Sequence, residues 1–469
     1  MLRVYQESAY NQILDALRKG LNPLLFLMVG GGKTHIFCKI LKYAKSRNLR
    51  ALMIVKGRKL VDQASERLTR EDTPHGVAMA GHFRYRLGEP IQVASVDTLR
   101  ARKLFPKADL IVLDEADQAT SKSYTDILSH YTCPVLSVTA TPFSPMGKLS
   151  NIVIKPTTFN ELVDHGYLVA PRMFAPSMPN LKGLKKQNGE YVQAELSERM
   201  DKSNLIGDLV THYKQIAFGR KFLGFAVSIN HSKHIVQVFN DNGIACRHVD
   251  SDSTDEERNQ AIEDLRLGKI MGIWNVGIFC RGVDVPFLDC MISARPTQSL
   301  ALWIQMMGRF TRPYEGKKDW ICLDHSSNLL KHGFLSDEHE ANLTTVHKEI
   351  KIASPTTCLS CFSVFYATKC PSCGCENPVK LRKLEIKDGE LVEFKAITPE
   401  MEFNRNRKAI DSMRKQKKYK LGWRWFEAKR LYGEEVAERM FPKRVLTEWQ
   451  RNIVNLKKQS SENMVQTQG

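Results

Sequence analysis

Two regions of the sequence alternate short apolar runs with amphipathic stretches, and this alternation limits the possible folds more than any other feature. In residues 24–140 the runs include LLFLMV, ALMIV, LIVLD and VLSVTA, with helix-like segments such as THIFCKILKYAKSR between them. The alternation returns after residue 220 in KFLGFAV, KIMGIWNV, LDCMISA and DWICLD. Continuous apolar runs separated by helical periodicity are typical of parallel sheets covered by helices on both faces. The sequence therefore predicts an α/β protein with two tandem parallel-sheet lobes.

The rest of the chain divides into further segments. A chain of 469 residues is too long for one ordinary core. We predict lobe 1 over 1–145, a linker with an excursion over 146–205, lobe 2 over 206–345, a cysteine-rich segment over 350–378 and a basic C-terminal element over 379–469. That last element has 22 Lys and Arg against 13 Asp and Glu, so it carries +9 of the net charge of +18. A balance this basic favours an acidic polymer as partner.

Composition and hydropathy place the chain among folded proteins that do not cross membranes. Apolar residues make up 42% and charged residues 26%, which is typical of a folded soluble domain. No apolar stretch reaches the roughly 20 residues needed to span a bilayer. The N-terminal MLRVYQESAY has no basic region followed by an apolar one, so it is not a secretory signal. We therefore expect a cytoplasmic protein.

The segment LMVGGGKTHIF, residues 27–37, is the first candidate site. It is similar to the phosphate-binding pattern G-x-x-x-x-G-K-[ST], except that Leu27 stands at the first glycine. Such loops wrap backbone N–H groups around phosphates at a helix N-terminus, and the lysine reaches the β and γ oxygens. The alternative is an ordinary glycine-rich turn. An apolar run before the glycines and an amphipathic segment after Thr34 provide the strand–loop–helix context that favours the phosphate-binding loop.

Two carboxylates follow another apolar run, in LIVLDEADQA. Asp114 and Glu115 come at the carboxyl end of a buried strand, which is the edge where ligands bind in α/β sheets. An Asp at that place can hold Mg²⁺, and the adjacent Glu can orient and deprotonate a water. The alternative is a solvated acidic loop. The apolar strand and the upstream phosphate-binding loop favour a catalytic pair.

Two further patterns complete the set. SVTATP, residues 137–142, is another strand that ends in hydroxyl residues. In QMMGRFTR, the spacing of Gln305, Arg309 and Arg312 puts both arginines on one side of a helix end. Arginines of a second lobe can serve as planar donors to a γ-phosphate. Alone, the same spacing is more often a surface pair.

With these motifs in order, residues 1 to about 335 resemble a superfamily 2 helicase. RVYQ with Gln6 is similar to the adenine-reading element, and VKGRKLVDQ and VASVDTLRAR to the nucleic-acid-contacting motifs of the first lobe. DEAD and TATP resemble motifs II and III, FCRGVDVP resembles motif V, and QMMGRFTR resembles motif VI. TATP and Q-x-x-G-R-x-x-R are closer to the Ssl2/XPB and restriction-motor group than to the RNA-remodelling DEAD-box proteins. LVDHGYLVAP and DHSSNLLKHG add a likeness to phage and prophage DNA helicases.

The resemblance implies two RecA-like lobes with ATP and Mg²⁺ between them. It assigns catalysis to Lys33, Asp114, Glu115, Gln305, Arg309 and Arg312, and cofactor binding to Gln6, Gly30, Gly31, Gly32, Lys33, Thr34, Asp114 and Asp284. In this superfamily the first loop position is commonly not glycine, so Leu27 is tolerated. Val29 stands where the family usually has Thr, and this departure implies a weaker phosphate contact.

Five of the eleven cysteines crowd into residues 358–375. Cys358, Cys361, Cys370 and Cys373 form C-x₂-C-x₈-C-x₂-C, a spacing that suits a structural Zn²⁺ site in a zinc ribbon. Rubredoxin-like iron is the alternative, and Cys375 could replace Cys373. The following tail interleaves aromatic residues with many Lys and Arg; they are Tyr419, Trp423, Trp425 and Phe426. These aromatics either stack on unpaired bases or pack a small helical core.

Together these features predict an ATP-dependent DNA helicase or translocase that couples hydrolysis to movement along DNA or to its remodelling. The expected partners are single-stranded or branched DNA and other replication, recombination or repair proteins. One alternative is a duplex translocase or branch-migration motor that does not separate a simple duplex. An alternative of another class is a nucleic-acid-binding module with a decayed ATPase, which only Val29 supports.

Overall fold

The computed structural model describes three long stretches of the chain, 2–175, 189–280 and 285–344. It also describes residues 179, 181, 183–187, 356–357, 364–365, 374, 393–394, 407, 410–411, 414, 419, 422–432 and 434–441. The chain forms two compact units, Met1–Lys395 and Ala396–Gly469. The first unit contains both α/β lobes.

Lobe 1 is built on a seven-stranded parallel sheet with the order β3-β4-β2-β5-β6-β1-β7. Its strands are β1 (Pro23–Phe26), β2 (Ala51–Val55), β3 (Gly76–Ala78), β4 (Ile91–Ser95), β5 (Leu110–Asp114), β6 (Val135–Thr139) and β7 (Ile152–Ile154). Its helices are α1 (Val4–Arg18), α2 (Lys33–Ser46), α3 (Arg58–Arg70), α4 (Val96–Arg102), α5 (Lys122–Leu128) and α6 (Phe159–Asp164). The central strands are buried along their length because helices cover both faces, as continuous apolar runs require.

Lobe 2 repeats this architecture with the order β12-β13-β11-β14-β15-β8-β18, parallel except for the last pair. Its sheet strands are β8 (Pro171–Phe174), β11 (Phe222–Phe225), β12 (Cys246–Val249), β13 (Gly272–Asn275), β14 (Cys290–Ser293), β15 (Trp320–Asp324) and β18 (Glu393–Phe394). Two separate hairpins pair β9 (Lys186–Gln187) with β10 (Glu190–Tyr191) and β16 (Thr356–Thr357) with β17 (Val364–Phe365). The helices are α7 (Gln193–Met200), α8 (Ser203–Ile216), α9 (Ile229–Asp241), α10 (Asp255–Arg266), α11 (Leu300–Met307) and α12 (Asn328–His332). The two parallel-sheet lobes predicted from the apolar runs are therefore present.

The stretch 146–205 contributes one strand to each sheet. β7 pairs with β1 at the edge of the first sheet, and β8 pairs with β15 in the second. Both strands are short, at three and four residues, and Pro171 begins the second one. Strands this short contain too few apolar residues to be recognised in a sequence where prolines and glycines surround them.

The two lobes share a continuous apolar cluster. Phe26 and Met28, at the end of β1, belong to the same buried group as Phe225, Met307 and Trp320 of lobe 2. This shared core holds the carboxyl ends of β1 and the end of α11 close together, and the candidate site lies there.

The second unit has a small core of its own. Its described helices are α13 (Trp423–Tyr432) and α14 (Glu434–Met440). Trp425 is buried with Ala428, Ala437 and Met440, whereas Phe426 is 65% exposed. The aromatic residues of the tail are thus divided between core packing and surface exposure. Among the helices that the structure describes, none is long and apolar enough to cross a bilayer.

Candidate nucleotide site

The loop after β1 has the geometry of a phosphate cradle. Gly30 and Gly32 both have φ of 83°, in the left-handed region that favours glycine. α2 begins at Lys33, and no side chain caps its first N–H groups. These groups are therefore available to an anion at a helix N-terminus.

Leu27 explains why the loop tolerates a residue other than glycine at its first position. The side chain is buried beneath the loop, with 1% of its surface exposed. A Cβ added at Gly31 would lie 2.7 Å from Leu27 Cγ. Leucine at position 27 therefore requires glycine at 31, and the three consecutive glycines are part of the same packing arrangement.

Helix α1 supports the loop from behind. Gln6 Nε2 donates to the carbonyl of Gly31 at 3.3 Å, and Tyr5 Oη donates to the same oxygen at 2.8 Å. Gln6 Oε1 accepts from the N–H of Arg3 at 2.9 Å. A Cβ at Gly32 would lie 2.3 Å from Gln6 Nε2. Gln6 thus braces the loop and does not line the open cleft.

Lys33 sits between the loop and the carboxylates. Its Nζ donates to the carbonyl of Leu27 at 3.2 Å. Burial lowers the pKa of Lys33, and the charges of Glu115 and Asp114 oppose that effect. The lysine is therefore held close to two acids without a direct ion pair to either of them among the described contacts.

The two carboxylates at the end of β5 have different surroundings. Asp114 Oδ1 accepts from the N–H of Glu115 at 3.0 Å, and Arg67 Nη1 lies 3.5 Å from Asp114 Oδ2. Burial, followed by the neighbouring charge of Glu115, raises the pKa of Asp114 to about 6, against the attraction of Arg67 and Lys33. Glu115 has φ of 50°, and its Oε2 is buried with no hydrogen-bond partner within the described part of the chain.

These observations fit a divalent cation and a water. A buried carboxylate whose charge is disfavoured gains from a nearby cation, and Mg²⁺ prefers carboxylate oxygens together with phosphates. The orphaned Oε2 of Glu115 is a ready acceptor for a proton or a water. Asp114 is thus the residue that could hold Mg²⁺, and Glu115 the residue that could hold the water.

A chain of hydrogen bonds links the acidic loop to lobe 2. Thr139 Oγ1 donates to Asp117 Oδ1 at 2.9 Å, and the N–H of Thr141 donates to Thr139 Oγ1 at 3.1 Å. Gln305 Nε2, from α11, donates to Thr141 Oγ1 at 3.4 Å. The sequence singled out the hydroxyls of SVTATP but not Asp117, although it is the last residue of DEAD. Gln305 lies behind the cleft and couples the lobes.

Lobe 2 contributes the segment just past α11. A Cβ added at Gly308 would lie 2.4 Å from Val29 Cβ, so motif VI packs directly on the phosphate-binding loop. Arg309 and Arg312 follow this contact and line the same cleft as Lys33. Burial lowers the pKa of Arg312, and the charge of Arg67 lowers it further. Arg67 and Arg312 are partly buried cations that repel each other across this cleft, which is the arrangement expected where an anion binds.

These elements enclose one cleft of about 450 Å³. The predicted site residues that line it are Gly30, Gly32, Lys33, Thr34, Asp114, Glu115, Arg309 and Arg312. Gln6, Gly31 and Gln305 lie behind its walls. Six further residues that line the cleft were not predicted from the sequence, and they lie on one face of α3 and at positions beside it. They are Gln63, Glu66, Arg67 and Arg70 of α3, together with His35 and Glu71. The four residues of α3 have the i, i+3, i+4, i+7 spacing of one helix face, but a sequence does not tell which ligand or lobe such a face meets.

Some predicted residues lie outside the described part of the chain. They are Asp284 of motif V and the four cysteines, Cys358, Cys361, Cys370 and Cys373. Within the residues that the structure does describe, no cluster of His, Cys, Asp and Glu has the arrangement of a metal site. The zinc ribbon stays a prediction.

The two segments similar to nucleic-acid motifs lie at one sheet edge. Two residues separate the end of β2 from the start of α3, and α4 starts directly after β4. β2 and β4 are adjacent parallel strands, so both helices begin at the same carboxyl edge. Arg58, the first residue of α3, donates from Nη2 to the carbonyl of Ala80 at 3.0 Å.

Family models and related proteins match residues of both lobes. A family model described as "Type III restriction enzyme, res subunit" matches residues 1–144, and one described as "Helicase conserved C-terminal domain" matches residues 201–313. The "51.5 kDa protein" of Lactococcus phage (isolate 7-9) is 28% identical over 317 residues, covering 66% of this chain and 67% of that protein. The "Putative ATP-dependent helicase IRC3" of Saccharomyces cerevisiae is 29% identical over 353 residues, covering 69% of this chain and 51% of that protein.

A solved structure shares the fold. The ATP-dependent Type ISP restriction-modification enzyme LlaBIII bound to DNA superposes with a TM-score of 0.53 at 17% identity. The match covers 69% of this chain and 27% of that enzyme. The matched part thus spans about half of the yeast relative and about a quarter of the restriction enzyme.

Proposed function

Because the chain belongs to superfamily 2 of the helicases, we propose that it is an ATP-driven motor that moves along or remodels DNA. The observation that carries this proposal is the shared cleft. Lys33, Asp114 and Glu115 of lobe 1 and Arg309 and Arg312 of lobe 2 line one space of about 450 Å³. A cleft built by both lobes ties nucleotide binding to the distance between them.

Each residue has a role that follows from its surroundings. The N–H groups at the start of α2 and the ammonium of Lys33 would hold the phosphate oxygens, and Thr34 and Asp114 would hold Mg²⁺. When bound, that ion supplies charge neutralisation on the β- and γ-phosphates. Glu115 accepts a proton from the attacking water on Oε2, which has no hydrogen-bond partner in the described structure. The charge that develops on the γ-phosphate is stabilised by donors from Arg309 and Arg312.

Movement would follow from contacts that cross between the lobes. Val29 packs on Gly308, and Gln305 donates to Thr141. Thr141 is joined through Thr139 to Asp117, next to the catalytic pair. A change in nucleotide state at this cleft therefore changes the contacts that hold lobe 2, and a strand bound across both lobes would be displaced with them.

Several features support DNA as the polymer. TATP and Q-x-x-G-R-x-x-R resemble the motifs of the Ssl2/XPB and restriction-motor group. The N-terminal family model is named for a restriction enzyme, and the superposable restriction enzyme was solved bound to DNA. The net charge of +18 suits a polyanion of either kind.

We assign the Cys₄ spacing to a structural Zn²⁺ and the basic tail to extra contacts with DNA. Cys358, Cys361, Cys370 and Cys373 supply the four thiolates that tetrahedral zinc prefers. In the tail, Phe426 is 65% exposed and Tyr419 is 41% exposed, so both are accessible to bases. Replication, recombination or repair proteins are the partners that such a motor would serve.

ATP hydrolysis with different polymers tests the proposal. Turnover is measured with no nucleic acid and with single-stranded DNA, duplex DNA, branched DNA and RNA, each beside a Lys33→Ala control. We expect stimulation by DNA that the control lacks. The best DNA distinguishes unwinding of a simple duplex from branch migration. Stimulation by RNA alone would overturn the choice of DNA, and binding without any turnover would leave a module with a decayed ATPase.

A further inference from the structure

A loop at the edge of lobe 1 exposes aromatic residues that the nucleotide site does not use. This platform loop, residues 79–90, connects β3 to β4. Phe83 exposes 83% of its surface, and Tyr85 and Leu87 expose 43% and 41%. Grouped apolar side chains that remain in water mark an interaction site more often than scattered ones do.

The platform loop is fixed in place by hydrogen bonds. The N–H of Val77, in β3, donates to the carbonyl of Arg84 at 2.9 Å. Gln92 Nε2, in β4, donates to the carbonyl of Arg86 at 2.7 Å. Both strands therefore hold the backbone on either side of Tyr85. The exposed side chains are presented by a preorganised backbone, which lowers the entropy cost of binding.

Phe83 itself is supported from below. His82 is buried, its ring stacks on Phe83 at 4.6 Å between centroids, and its Nε2 lies 3.4 Å from Asp62 Oδ1 of α3. The N–H of Arg84 donates to His82 Nδ1 at 3.0 Å. The Phe83 ring therefore rests on the buried ring of His82.

The platform loop adjoins the edge of the sheet where the nucleic-acid motifs begin. Arg58, at the start of α3, donates to the carbonyl of Ala80 in this loop at 3.0 Å. β3, β4 and β2 are parallel neighbours, so the start of the loop, the start of α3 and the start of α4 share the carboxyl edge. A strand that crosses these two helices would have Phe83 within its path.

The charges around Phe83 match a polyanion. Five basic residues stand against two acidic residues, Asp62 and Glu89, in segments 56–63 and 79–90; the basic ones are Lys56, Arg58, Lys59, Arg84 and Arg86. The guanidinium carbon of Arg84 lies 5.2 Å from the centre of the Phe83 ring. Aromatic rings set among cations are the pattern that binds single-stranded nucleic acid, because the cations hold phosphates and the rings stack on bases.

We propose that Phe83 is a stacking platform for an unpaired base of the nucleic acid, next to the first-lobe motifs. This inference rests on the proposed function. It adds a residue that favours single-stranded over duplex nucleic acid, because it stacks on an unpaired base. A base stacked on Phe83 is withdrawn from its partner strand, so the platform loop marks where a duplex is kept apart.

A tryptophan probe tests contact directly. Phe83→Trp is titrated with single-stranded DNA, and its fluorescence is compared with that of the parent chain and of Phe218→Trp. Phe218 is 72% exposed and lies between α8 and β11, at the amino edge of the lobe 2 sheet, so it is a matched control. We expect quenching that saturates with DNA for Phe83→Trp alone. Equal or absent quenching in both variants would overturn the proposal.

Removing the aromatic side chain distinguishes base stacking from simple charge attraction. Phe83→Ala should raise the concentration of single-stranded DNA that half-saturates ATPase stimulation by on the order of 10-fold, with turnover at saturation unchanged. Phe218→Ala should change neither. Binding to a blunt duplex should weaken less than binding to the single strand. No change, or equal weakening for single strand and duplex, would contradict stacking. If the parent chain shows no stimulation by nucleic acid, it is the proposed function that fails, and the quenching of Phe83→Trp still tests the contact.

Discussion

At the residue scale, the nucleotide cleft holds charges in surroundings that disfavour some of them. Asp114 is largely buried beside Glu115, and Lys33 is held near both. Burial and like charge make the ionised Asp114 costly in the nucleotide-free protein, and Arg67 offsets only part of that cost. Sites that bind a cation and an anion commonly destabilise the free protein in this way.

Replacing Asp114 with Asn should therefore stabilise the nucleotide-free protein while abolishing ATP hydrolysis. The pKa of Asp114 is raised from 3.8 to about 6, so between these values the native state binds more protons than the unfolded state. Native stability then falls as pH rises through this window, and the full cost is present above pH 6. We expect a gain on the order of 1 kcal/mol at pH 8, or about 2 °C in thermal midpoint.

The control for this variant is Asp15→Asn, at a carboxylate whose side chain is 60% exposed. Thermal melts at pH 8 and pH 5 should show a gain for Asp114→Asn that shrinks at the lower pH. The exposed control should show little change at either pH. A loss of stability at pH 8 for Asp114→Asn would contradict this account of the charges.

Residue types were easier to predict than residue placement. Lys33, Asp114 and Glu115 follow apolar strands, and the edge of a parallel sheet brings such residues together. Gln6 was predicted to bind the nucleotide; the structure shows that it donates to the carbonyl of Gly31, and its role towards the nucleotide stays a prediction. Arg67 was missed because nothing in the sequence shows which face of α3 turns towards β5. Local sequence patterns identify the residue types that the chemistry needs, whereas the positions of the ends of long side chains depend on tertiary packing.

At the scale of elements, the phosphate-binding loop and the end of α11 form one interlobe contact. Val29 meets Gly308, and Gln305 meets Thr141. Val29, which departs from the usual family residue, thus has a packing partner in lobe 2. Because Val29 has an apolar side chain where the family usually has the hydroxyl of Thr, it favours contact with lobe 2 over contact with a phosphate.

Gly308→Ala should prevent this contact and reduce ATP hydrolysis at least 10-fold while leaving ATP binding to lobe 1 largely intact. The added Cβ would lie 2.4 Å from Val29 Cβ, closer than packed carbons permit, so the lobes would have to move apart. Turnover and the binding of a fluorescent ATP analogue are the two measurements.

Adding Val29→Gly to the same chain removes the side chain that clashes. The double variant should recover part of the lost turnover, and Val29→Gly alone serves as the control. If Gly308→Ala hydrolyses ATP normally, closure at this contact is not needed for the reaction.

The strand pattern was predictable where runs were long. The central strands of both sheets match the apolar runs, but β7 and β8 fell within a stretch read as linker. Strands of three or four residues contribute few apolar positions, and their pairing with distant strands decides their existence. Their placement also fixes the connection between lobes, which the sequence could not show.

At the scale of the whole molecule, two α/β lobes form one unit and the basic tail contributes a second. The tail has a buried core around Trp425, which agrees with the packing interpretation, and Phe426 is exposed. Stacking of the exposed aromatic residues on bases stays a prediction. In sequence, the predicted zinc ribbon falls within the first unit, and its four cysteines lie outside the described residues.

Purified protein should contain about one equivalent of zinc per chain by elemental analysis. Cys358→Ser and Cys370→Ser, one from each knuckle, should lose most of it, because each removes one of four thiolates. Cys133→Ser, at a half-buried cysteine of lobe 1, is the control and should retain the metal. Iron in place of zinc would select the rubredoxin-like alternative, and no metal would contradict the ribbon.

The central claim is that Glu115 activates water in a cleft shared by both lobes, so the most direct measurement is ATP turnover by Glu115→Gln with saturating single-stranded DNA. The account predicts that turnover falls by at least 100-fold while binding of ATP and DNA is retained, because the amide cannot accept the proton. Normal hydrolysis by Glu115→Gln would contradict the account.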